Sequence, residues 1–306
     1  MNIEVNRINS GICRNPEEYA EQTNEVFMYQ LMQIASKIAS NIKNRPVILL
    51  AGPSGSGKTT TAYMIAKFLG DLGCGCHTIS MDNYFKSLTA EEKELSALGK
   101  MDLESPERID KELLNKQIED IEACRPVEIP KYDFEVSARS EETVTFERKQ
   151  GDVVIFEGIH ALNPDVITVP DNRLYKLYVS VRTRITKEGI VLNPAKIRLM
   201  RRMIRDRNFR SRSIEETMSM FHSVEAGENR YIMPYKTRSD YDIDTFMAYE
   251  MSVYRYHLLD DLRLMADNSE LADVIEVMAA LAPLDSELIP KNSLIREFIG
   301  KGEFEY

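Results

Sequence analysis

The sequence predicts an α/β fold in which a parallel β-sheet is flanked by helices. From residue 46 onward, short apolar runs alternate with helical segments, a pattern typical of a parallel sheet covered on both faces. A glycine-rich run, GPSGSGKTT at residues 52–60, follows one apolar run and precedes a helical segment, which is where a phosphate-binding loop occurs. Helical patterns before residue 46 and after residue 245 predict helical extensions at both ends.

The length and composition fit one principal domain. The chain has 306 residues, 43% of them hydrophobic, and this is enough for one large α/β core with a helical annex. We therefore expect three segments: an N-terminal helical extension over residues 1–45, a central α/β domain over residues 46–245, and a C-terminal helical segment packed on that domain over residues 246–306.

The N-terminal extension contains an amphipathic pattern over residues 17–42. Its apolar residues recur at helical spacing and are Phe27, Leu31, Ile34, Ala35, Ile38 and Ile42. This stripe predicts packing on the core or on a partner subunit, so an interface in a homo-oligomer stays open here.

The central domain contains four apolar runs that predict strands, at residues 47–50, 77–81, 153–156 and 174–181. A helical pattern at residues 63–69 follows the glycine-rich run, and two further helices are expected at residues 247–265 and 271–281. In parallel sheets, ligands bind at the carboxyl ends of the strands. The residues that follow each strand are therefore the first candidates for chemistry.

The glycine-rich run has the spacing of a loop that binds a nucleoside triphosphate. Glycines let successive N–H groups turn toward a phosphate chain, and the following helix presents its positive end. Lys58 adds a mobile cation, and Thr59 can ligate Mg²⁺. The expected ligands are ATP and Mg²⁺, and the expected nucleotide-binding residues are Gly52, Ser54, Gly55, Ser56, Gly57, Lys58, Thr59 and Thr60.

Two carboxylates follow predicted strands. Asp82 comes directly after the 77–81 run, and Glu157 directly after the 153–156 run, so both should point into the crevice beside the loop. Phosphoryl transfer needs a carboxylate that orients and accepts the proton of an attacking hydroxyl, and acidic groups that hold Mg²⁺. Asp82 suits the role of proton acceptor, and Glu157 suits the role of metal ligand. As alternatives, Asp82 is a turn or helix-capping residue, and Glu157 forms an ion pair at the end of its strand.

A basic stretch follows the last predicted strand. On a helical projection one face carries Arg198, Arg201, Arg202 and Arg205, and the run continues with Arg207, Arg210 and Arg212. Like charges at this spacing destabilise an isolated helix, so the face needs carboxylates or phosphates as counter-charges. We interpret it as a lid whose arginines close over transferring phosphates; a solvated basic face or a patch that contacts RNA is the alternative.

Composition limits the classes of partner. A formal charge of −10 argues against a nucleic-acid coating function, and no apolar run approaches the length of a membrane span. No signal-peptide pattern opens the sequence, and the four cysteines show no paired spacing for zinc or a disulfide framework. We expect a cytoplasmic protein with a small-molecule partner.

Six ordered motifs resemble those of the uridine kinase and phosphoribulokinase family of P-loop kinases. They are GPSGSGKTT, SMDNYF, DLESPERID, IPKYDF with Arg139, VVIFEGIHAL and RLMRRMIRDRNFRSRS. The resemblance spans roughly residues 47–240, and six motifs in order are far more specific than the loop alone. It implies a P-loop NTPase fold, with the kinase domain at residues 46–245.

For the donor side, the resemblance implies that Asp82 is the catalytic base and that Lys58 and Thr59 serve the triphosphate and its Mg²⁺. It makes Glu157 a metal-site carboxylate, with Asp82 beside it. The arginines that it places on the phosphates are Arg205, Arg210 and Arg212, with Arg205 and Lys58 taking part in catalysis.

For the acceptor side, Glu104 takes the place where uridine kinases have an aspartate that holds the ribose hydroxyls, and Asp102 is a nearby competitor. Tyr132 matches a tyrosine that lines the base pocket, and Arg202 matches an arginine near the sugar. The acceptor-site residues implied in this way are Asp82, Tyr84, Glu104, Tyr132, Arg139 and Arg202.

Three positions depart from the family pattern. Uridine kinases have a histidine where this chain has Ser137 and a pyrimidine-reading glutamine where it has Met220, and the family usually has glycine where it has Ser211. Because a site that loses its hydrogen-bonding groups loses its discrimination, the acceptor can be uridine, another nucleoside, a sugar or a sugar phosphate.

The expected function is therefore an ATP-dependent kinase acting on a hydroxyl of a nucleoside-like molecule. The alternative is a regulatory or RNA-associated ATPase module, which the dense arginines and the altered base-reading residues would suit. A third interpretation makes the terminal helices a dimerisation platform on an active kinase.

Overall fold

The structure, a computed structural model, describes residues 1–97, 101–133 and 136–304. The strands within these residues are β1 (Asn2–Glu4), β2 (Val47–Ala51), β3 (Cys76–Ser80), β4 (Val127–Asp133), β5 (Ala138–Phe146), β6 (Val153–Glu157), β7 (Leu174–Ser180), β8 (Arg184–Lys187), β9 (Ile190–Leu192) and β10 (Tyr241–Asp244).

The helices come mostly between these strands and at the two ends. Over the same described residues they are α1 (Val5–Arg14), α2 (Pro16–Ala39), α3 (Lys58–Asp71), α4 (Ala90–Ala97), α5 (Lys111–Glu122), α6 (Pro194–Phe209), α7 (Ile214–Tyr231), α8 (Glu250–Leu264), α9 (Ala272–Ala280) and α10 (Arg296–Ile299).

A five-stranded parallel sheet with the order β10-β7-β2-β6-β3 forms the centre. This confirms the predicted α/β class and the four predicted strands. All residues of β2, β6 and β7 are buried, as expected for strands that are covered on both faces.

Alternate residues of the central strand β2 enter two different apolar layers. Ile48 and Leu50 pack in the layer that includes α2, α3, α8 and α9, whereas Val47 and Leu49 pack in the layer that includes α5. Because successive strand residues point to opposite faces, a continuous apolar run supplies both layers. The carboxyl end of β2 is thereby fixed at the edge where the glycine-rich loop begins.

The four predicted strands differ from the structure by one residue at some ends, and at β3 the difference affects a candidate site residue. Strand β3 ends at Ser80, and a 3₁₀ turn follows over Met81–Tyr84. The Ser80 hydroxyl accepts a hydrogen bond from the Asp82 N–H at 3.4 Å, which starts the turn. Asp82 therefore lies in this turn rather than directly after the strand.

Two small sheets flank the central one. Strand β1 pairs in parallel with β8, and β8 pairs with β9; β4 and β5 form an antiparallel hairpin. None of these strands has a sequence pattern that predicts it. Because β1 lies at Asn2–Glu4, the N-terminal extension contains a strand as well as helices.

The terminal segments share the main apolar layer of the central domain. Phe27, Leu31 and Ile34 of α2 are buried there, together with Val277 of α9 and Phe298 of α10. The stripe on α2 is thus core within this chain and is not an exposed dimerisation surface. Among the described residues, no helix is both long and apolar enough to cross a membrane.

Candidate active site

The glycine-rich loop runs from the end of β2 to the start of α3, and its glycines have structural reasons. A Cβ at Gly52 would meet the carbonyl oxygen of Val179 on β7. Gly57 is the N-cap of α3 and has φ of +83°, a left-handed conformation that glycine adopts without strain. The loop therefore turns tightly into the start of α3, and the first turn of a helix favours an anion.

The side chains of the loop contact its own backbone and helix α6. Lys58 Nζ donates to the Pro53 carbonyl at 3.3 Å. The Ser54 carbonyl accepts from Arg198 at 3.0 Å, and the Ser54 hydroxyl accepts from Arg202. Helix α6 therefore lies directly against the loop.

Asp82 and the loop lysine lie within electrostatic range of each other, and we call the region that they border the site cavity. Burial raises the pKa of the Asp82 carboxyl, and the Lys58 charge opposes that rise more strongly than any other. Arg210, Arg108 and Arg205 oppose it further. Because such effects need proximity, the structure brings together Asp82, Lys58 and two arginines from the predicted lid.

Glu157 faces the same cavity from the end of β6. Burial raises its pKa to about 7; the Lys58 charge lowers it, and the Asp82 carboxylate raises it. The Asp82 and Glu157 carboxylates therefore repel each other, and a cation between them would relieve that repulsion.

This donor set fits Mg²⁺. Magnesium is usually held by one or two carboxylates together with waters and substrate phosphates. Here the Asp82 and Glu157 carboxylates act on each other and are both affected by Lys58, and Thr59 follows Lys58 at the start of α3. Within the described residues, no group of three or more His, Cys, Asp or Glu side chains could hold a metal by itself.

The first half of α6 is structural rather than a lid. Arg201 is 0% exposed and donates to both carboxylate oxygens of Glu250 and, at 3.1 Å, to the Gly55 carbonyl. Arg198 pairs with Glu228 at 2.6 Å, with both side chains buried. The counter-charges of these two arginines are carboxylates of this chain, which corrects the interpretation of the whole face as a lid.

The second half of the basic stretch surrounds one carboxylate. Arg205 donates to Asp206 at 2.9 Å and 3.0 Å, Arg210 lies 3.6 Å from it and Arg212 3.9 Å. Burial, followed by repulsion from Arg205, lowers the pKa of Arg202 to about 10. One carboxylate for these clustered arginines leaves an excess of positive charge that faces Asp82.

Ser211 lies between two of these arginines with φ of +51°. This is the left-handed region that a glycine adopts more readily than a serine. This chain therefore has a serine at a position where the family usually has glycine and where the backbone conformation favours glycine.

On the acceptor side, the structure distinguishes between the two candidate carboxylates. Burial raises the pKa of Glu104, and the charges of Arg202 and Lys58 lower it, so Glu104 faces the phosphate loop. Asp102 is exposed and accepts a hydrogen bond from the Tyr231 hydroxyl at 2.7 Å. Glu104 is thus the better placed of the two.

The two other sequence candidates on the acceptor side have structural partners. Tyr84 is 0% exposed, and its hydroxyl donates to Gln117 at 2.7 Å; its side chain is part of the core, which corrects its assignment to the acceptor. Arg139 donates to Asp110 at 3.1 Å and to the Tyr84 carbonyl at 3.0 Å, so it holds the hairpin against the Asp82 turn.

Tyr132 is half-buried, and Arg108, which is not among the residues predicted from the sequence, links it to Asp82. Arg108 donates to the Tyr132 hydroxyl at 3.2 Å and to the Leu103 carbonyl at 3.0 Å, and it lies 4.6 Å from the centroid of the Phe85 ring. Its charge also acts on Asp82. Arg108 is the single basic residue of the motif DLESPERID, so no periodic pattern points to it. The motif itself does indicate that this segment belongs to the site.

Ser137 and Met220, the two residues that replace base-reading residues of uridine kinases, are both described by the structure. Ser137 has φ of +52°, and its carbonyl accepts from the Leu88 N–H at 3.0 Å; Met220 is half-buried on α7. Phe134 of the IPKYDF motif lies outside the described residues.

Two more functional candidates emerge only from the structure. His160 is 1% exposed and hydrogen-bonds the Glu104 carbonyl through Nε2 at 2.9 Å. Glu297, from the C-terminal segment, accepts from the Thr60 hydroxyl at 2.5 Å. Both contacts join residues far apart in the chain, so sequence spacing could not reveal them.

Comparisons with known proteins identify a family and several similar kinases. The sequence model of the Phosphoribulokinase / Uridine kinase family matches residues 47–252. The uridine kinase of Macrococcus caseolyticus is 34% identical over 199 residues, covering 63% of this chain and 85% of that protein. The uridine kinase of Staphylococcus haemolyticus is 34% identical over 201 residues, covering 64% and 86%.

Solved structures with similar folds include two kinases. A putative fructose transport system kinase from Silicibacter sp. TM1040 covers 69% of this chain and 98% of its own, at 15% identity and a TM-score of 0.45. A possible uridine kinase from Bacillus stearothermophilus covers 70% of this chain and 100% of its own, at 17% identity and a TM-score of 0.40.

Proposed function

This chain belongs to the phosphoribulokinase / uridine kinase family, and from that membership we propose that it transfers the γ-phosphoryl group of ATP to a hydroxyl of a nucleoside-like small molecule. The observation that carries this proposal is the shared cavity of Asp82, Lys58 and Glu157, in which each carboxylate is affected by the lysine charge. A base, a phosphate-binding cation and a metal-site carboxylate are the groups that phosphoryl transfer requires.

Asp82 orients the acceptor hydroxyl and takes its proton. The hydroxyl oxygen forms a bond to the γ-phosphorus while the bond to the β,γ-bridging oxygen breaks, so that ADP leaves with that electron pair. The raised pKa of Asp82 makes its carboxylate a stronger base than an ordinary aspartate.

The remaining groups position the donor and stabilise charge. Lys58 and the N–H groups of the loop bind the phosphates, and Arg205 and Arg210 face the charge that develops on the transferring group. Thr59, Glu157 and Asp82 would hold Mg²⁺, which supplies charge neutralisation on the phosphates.

The acceptor pocket combines a sugar-binding and a base-facing side. Glu104 would accept hydrogen bonds from the sugar hydroxyls, and Tyr132, held by Arg108, would line the space for the base. With Ser137 and Met220 in place of the uridine-reading groups, the acceptor class is a nucleoside or a sugar rather than uridine alone.

The test is product formation with ATP, Mg²⁺ and a panel of nucleosides and sugars, read by chromatography of phosphorylated products. We expect at least one acceptor to yield a monophosphate, and Asp82→Asn to lower turnover by about 10²–10⁴-fold with nearly unchanged ATP binding. Asp71→Asn, at the exposed opposite end of α3, is the matched control and should keep full turnover. Unchanged turnover in Asp82→Asn would rule out its role.

The RNA-associated ATPase remains the other outcome of this test. It would require that no acceptor is phosphorylated while RNA binds with a strong salt dependence. The buried pairing of Arg198 and Arg201 within the chain removes part of the basic surface on which that alternative depends. A cytoplasmic location and the oligomeric state stay predictions, which cell fractionation and mass measurement in solution would test.

A further inference from the structure

A carboxylate from the C-terminal end of the chain lies on the phosphate loop. Glu297 Oε2 accepts a hydrogen bond from the Thr60 hydroxyl at 2.5 Å, and the Thr60 N–H points at the same oxygen at 3.4 Å. Thr60 is in the first turn of α3, whose N–H groups have no partners within the helix. The carboxylate therefore takes donors that the loop would offer to phosphates.

This carboxylate is held in place by the segment that carries it. We call residues 292–299 the C-terminal strap. Leu294 packs against Gly57 so closely that a Cβ there would lie 2.7 Å from it. Asn292 accepts a hydrogen bond from Asn24 at 2.9 Å, and the guanidinium of Arg201 lies 5.3 Å from the centroid of the Phe298 ring.

The start of α3 stabilises one anion, and the negative charge of Glu297 at this position repels a second anion such as a phosphate. The start of a helix favours negative charge, so either a carboxylate or a phosphate is stable there. Glu297 also acts electrostatically on Glu157, which places its charge within reach of the same cavity. A triphosphate bound beside an unmoved Glu297 would add its charge to these carboxylates.

We propose that Glu297 is an internal competitor of the donor's phosphates: the C-terminal strap holds a carboxylate on the phosphate loop, and this carboxylate must leave Thr60 for the triphosphate to bind fully. The identity of the donor rests on the proposed function. The competition itself needs only a polyphosphate chain and the loop.

The experiment is calorimetric binding of ATP and of inorganic tripolyphosphate, each with Mg²⁺ and without acceptor. Glu297→Gln keeps the shape of the side chain and removes its charge, and it should tighten both ligands by roughly tenfold, because a hydrogen bond to a charged group is being replaced by a weaker one. Glu303→Gln breaks only the Lys67–Glu303 pair at 3.1 Å on the outer side of α3 and should leave both affinities unchanged.

A second measurement uses the wild-type chain and does not depend on a variant. Hydrogen exchange of residues 292–299 should become faster when tripolyphosphate is added, because the strap loses its contact with Thr60. Slower or unchanged exchange, or equal or weaker binding by Glu297→Gln, would overturn the proposal and make Glu297 a support for Thr60 instead.

The failure of this inference can be told from the failure of the proposed function. If the wild type binds ATP and loses that binding in Lys58→Met, while Glu297→Gln fails to tighten it, only the competition is wrong. If neither the wild type nor Glu297→Gln binds ATP or tripolyphosphate, both proposals are wrong.

Discussion

Arg201 and Glu250 form an ion pair in which both side chains are fully buried. The pair is bidentate, with distances of 2.7 Å and 3.0 Å, and Arg201 also donates to the Gly55 carbonyl. Although burial alone would lower the pKa of Arg201, the Glu250 carboxylate raises it above its usual value. The pair thus ties the phosphate loop to the start of α8.

We expect Glu250→Gln to destabilise the fold by about 3–5 kcal/mol, because it leaves the Arg201 charge buried without its partner. The measurement is the free energy of unfolding in urea. Asp261→Asn removes the partner of Arg207 in a half-exposed pair at 2.9 Å and, as the control, should cost only about 0–1 kcal/mol. Equal costs in the two variants would contradict the importance of the buried pair.

Asp206→Asn should lower kcat. Asp206 is the carboxylate that Arg205, Arg210 and Arg212 share, and without its charge the arginines repel one another and move from the phosphates. We expect a loss of about 10²-fold, the scale of a displacement of about 1 Å in a catalytic group. Steady-state kinetics should show the change in kcat and in KM for ATP but not in KM for the acceptor; an unchanged kcat would show that Asp206 does not position the arginines.

His160 should make the stability of the protein sensitive to acid. Burial lowers its pKa from 6.5 to about 4, so the folded state favours the neutral ring, whose Nε2–H donates to the Glu104 carbonyl. A group with a lowered folded-state pKa contributes stability that is present above its unfolded value of 6.5 and is lost as the pH falls toward 4; the full effect is up to about 3 kcal/mol.

The check is the free energy of unfolding of the wild type and of His160→Gln between pH 7 and pH 4. The wild type should lose more stability over this range than the variant, which has no group titrating at this position. Identical pH profiles would mean that His160 is not kept neutral by the fold.

Ser211→Gly should stabilise the protein by about 0.5–1 kcal/mol, because it relieves a left-handed conformation that costs a serine about 1–2 kcal/mol and adds some entropy to the unfolded chain. Thermal unfolding measures the change. Ser36→Gly, at an exposed position inside α2, is the matched control and should instead destabilise by about 0.5–1 kcal/mol. A lower melting temperature for Ser211→Gly would show that the serine side chain makes a compensating contact.

Much of the fold follows from local pattern. The four central strands agree with the sequence prediction to within one residue at each end, because a doubly covered strand is a continuous apolar run. Strand β10, with the sequence YDID, carries too few apolar residues for this signal, and β1 forms only because it pairs with residues some 180 positions away. Such partners are set by tertiary structure.

In the candidate site, too, some features follow from local sequence pattern and others depend on tertiary structure. The loop and the carboxylates Asp82 and Glu157 are predictable, because strand ends and glycine spacing are local features. The different roles of Arg201 and Arg205 are not predictable from the sequence, because both arginines lie on one face of the helix. They differ only in their tertiary surroundings: Arg201 is covered by Glu250, whereas the charge of Arg205 acts on Asp82. Tyr84 likewise lies next to a catalytic candidate, yet the turn directs its side chain into the core.

The apolar layer shared by the two ends of the chain has a consequence for where this protein can be cut. Leu31 of α2, Val277 of α9 and Phe298 of α10 pack in one cluster with Leu50 of β2, although the first three lie outside the family match at residues 47–252. A fragment trimmed to that match would expose this layer to water and lose its solubility. We therefore expect the flanks and the catalytic centre to melt in a single cooperative transition, as one folding unit that extends beyond the limits of the family match.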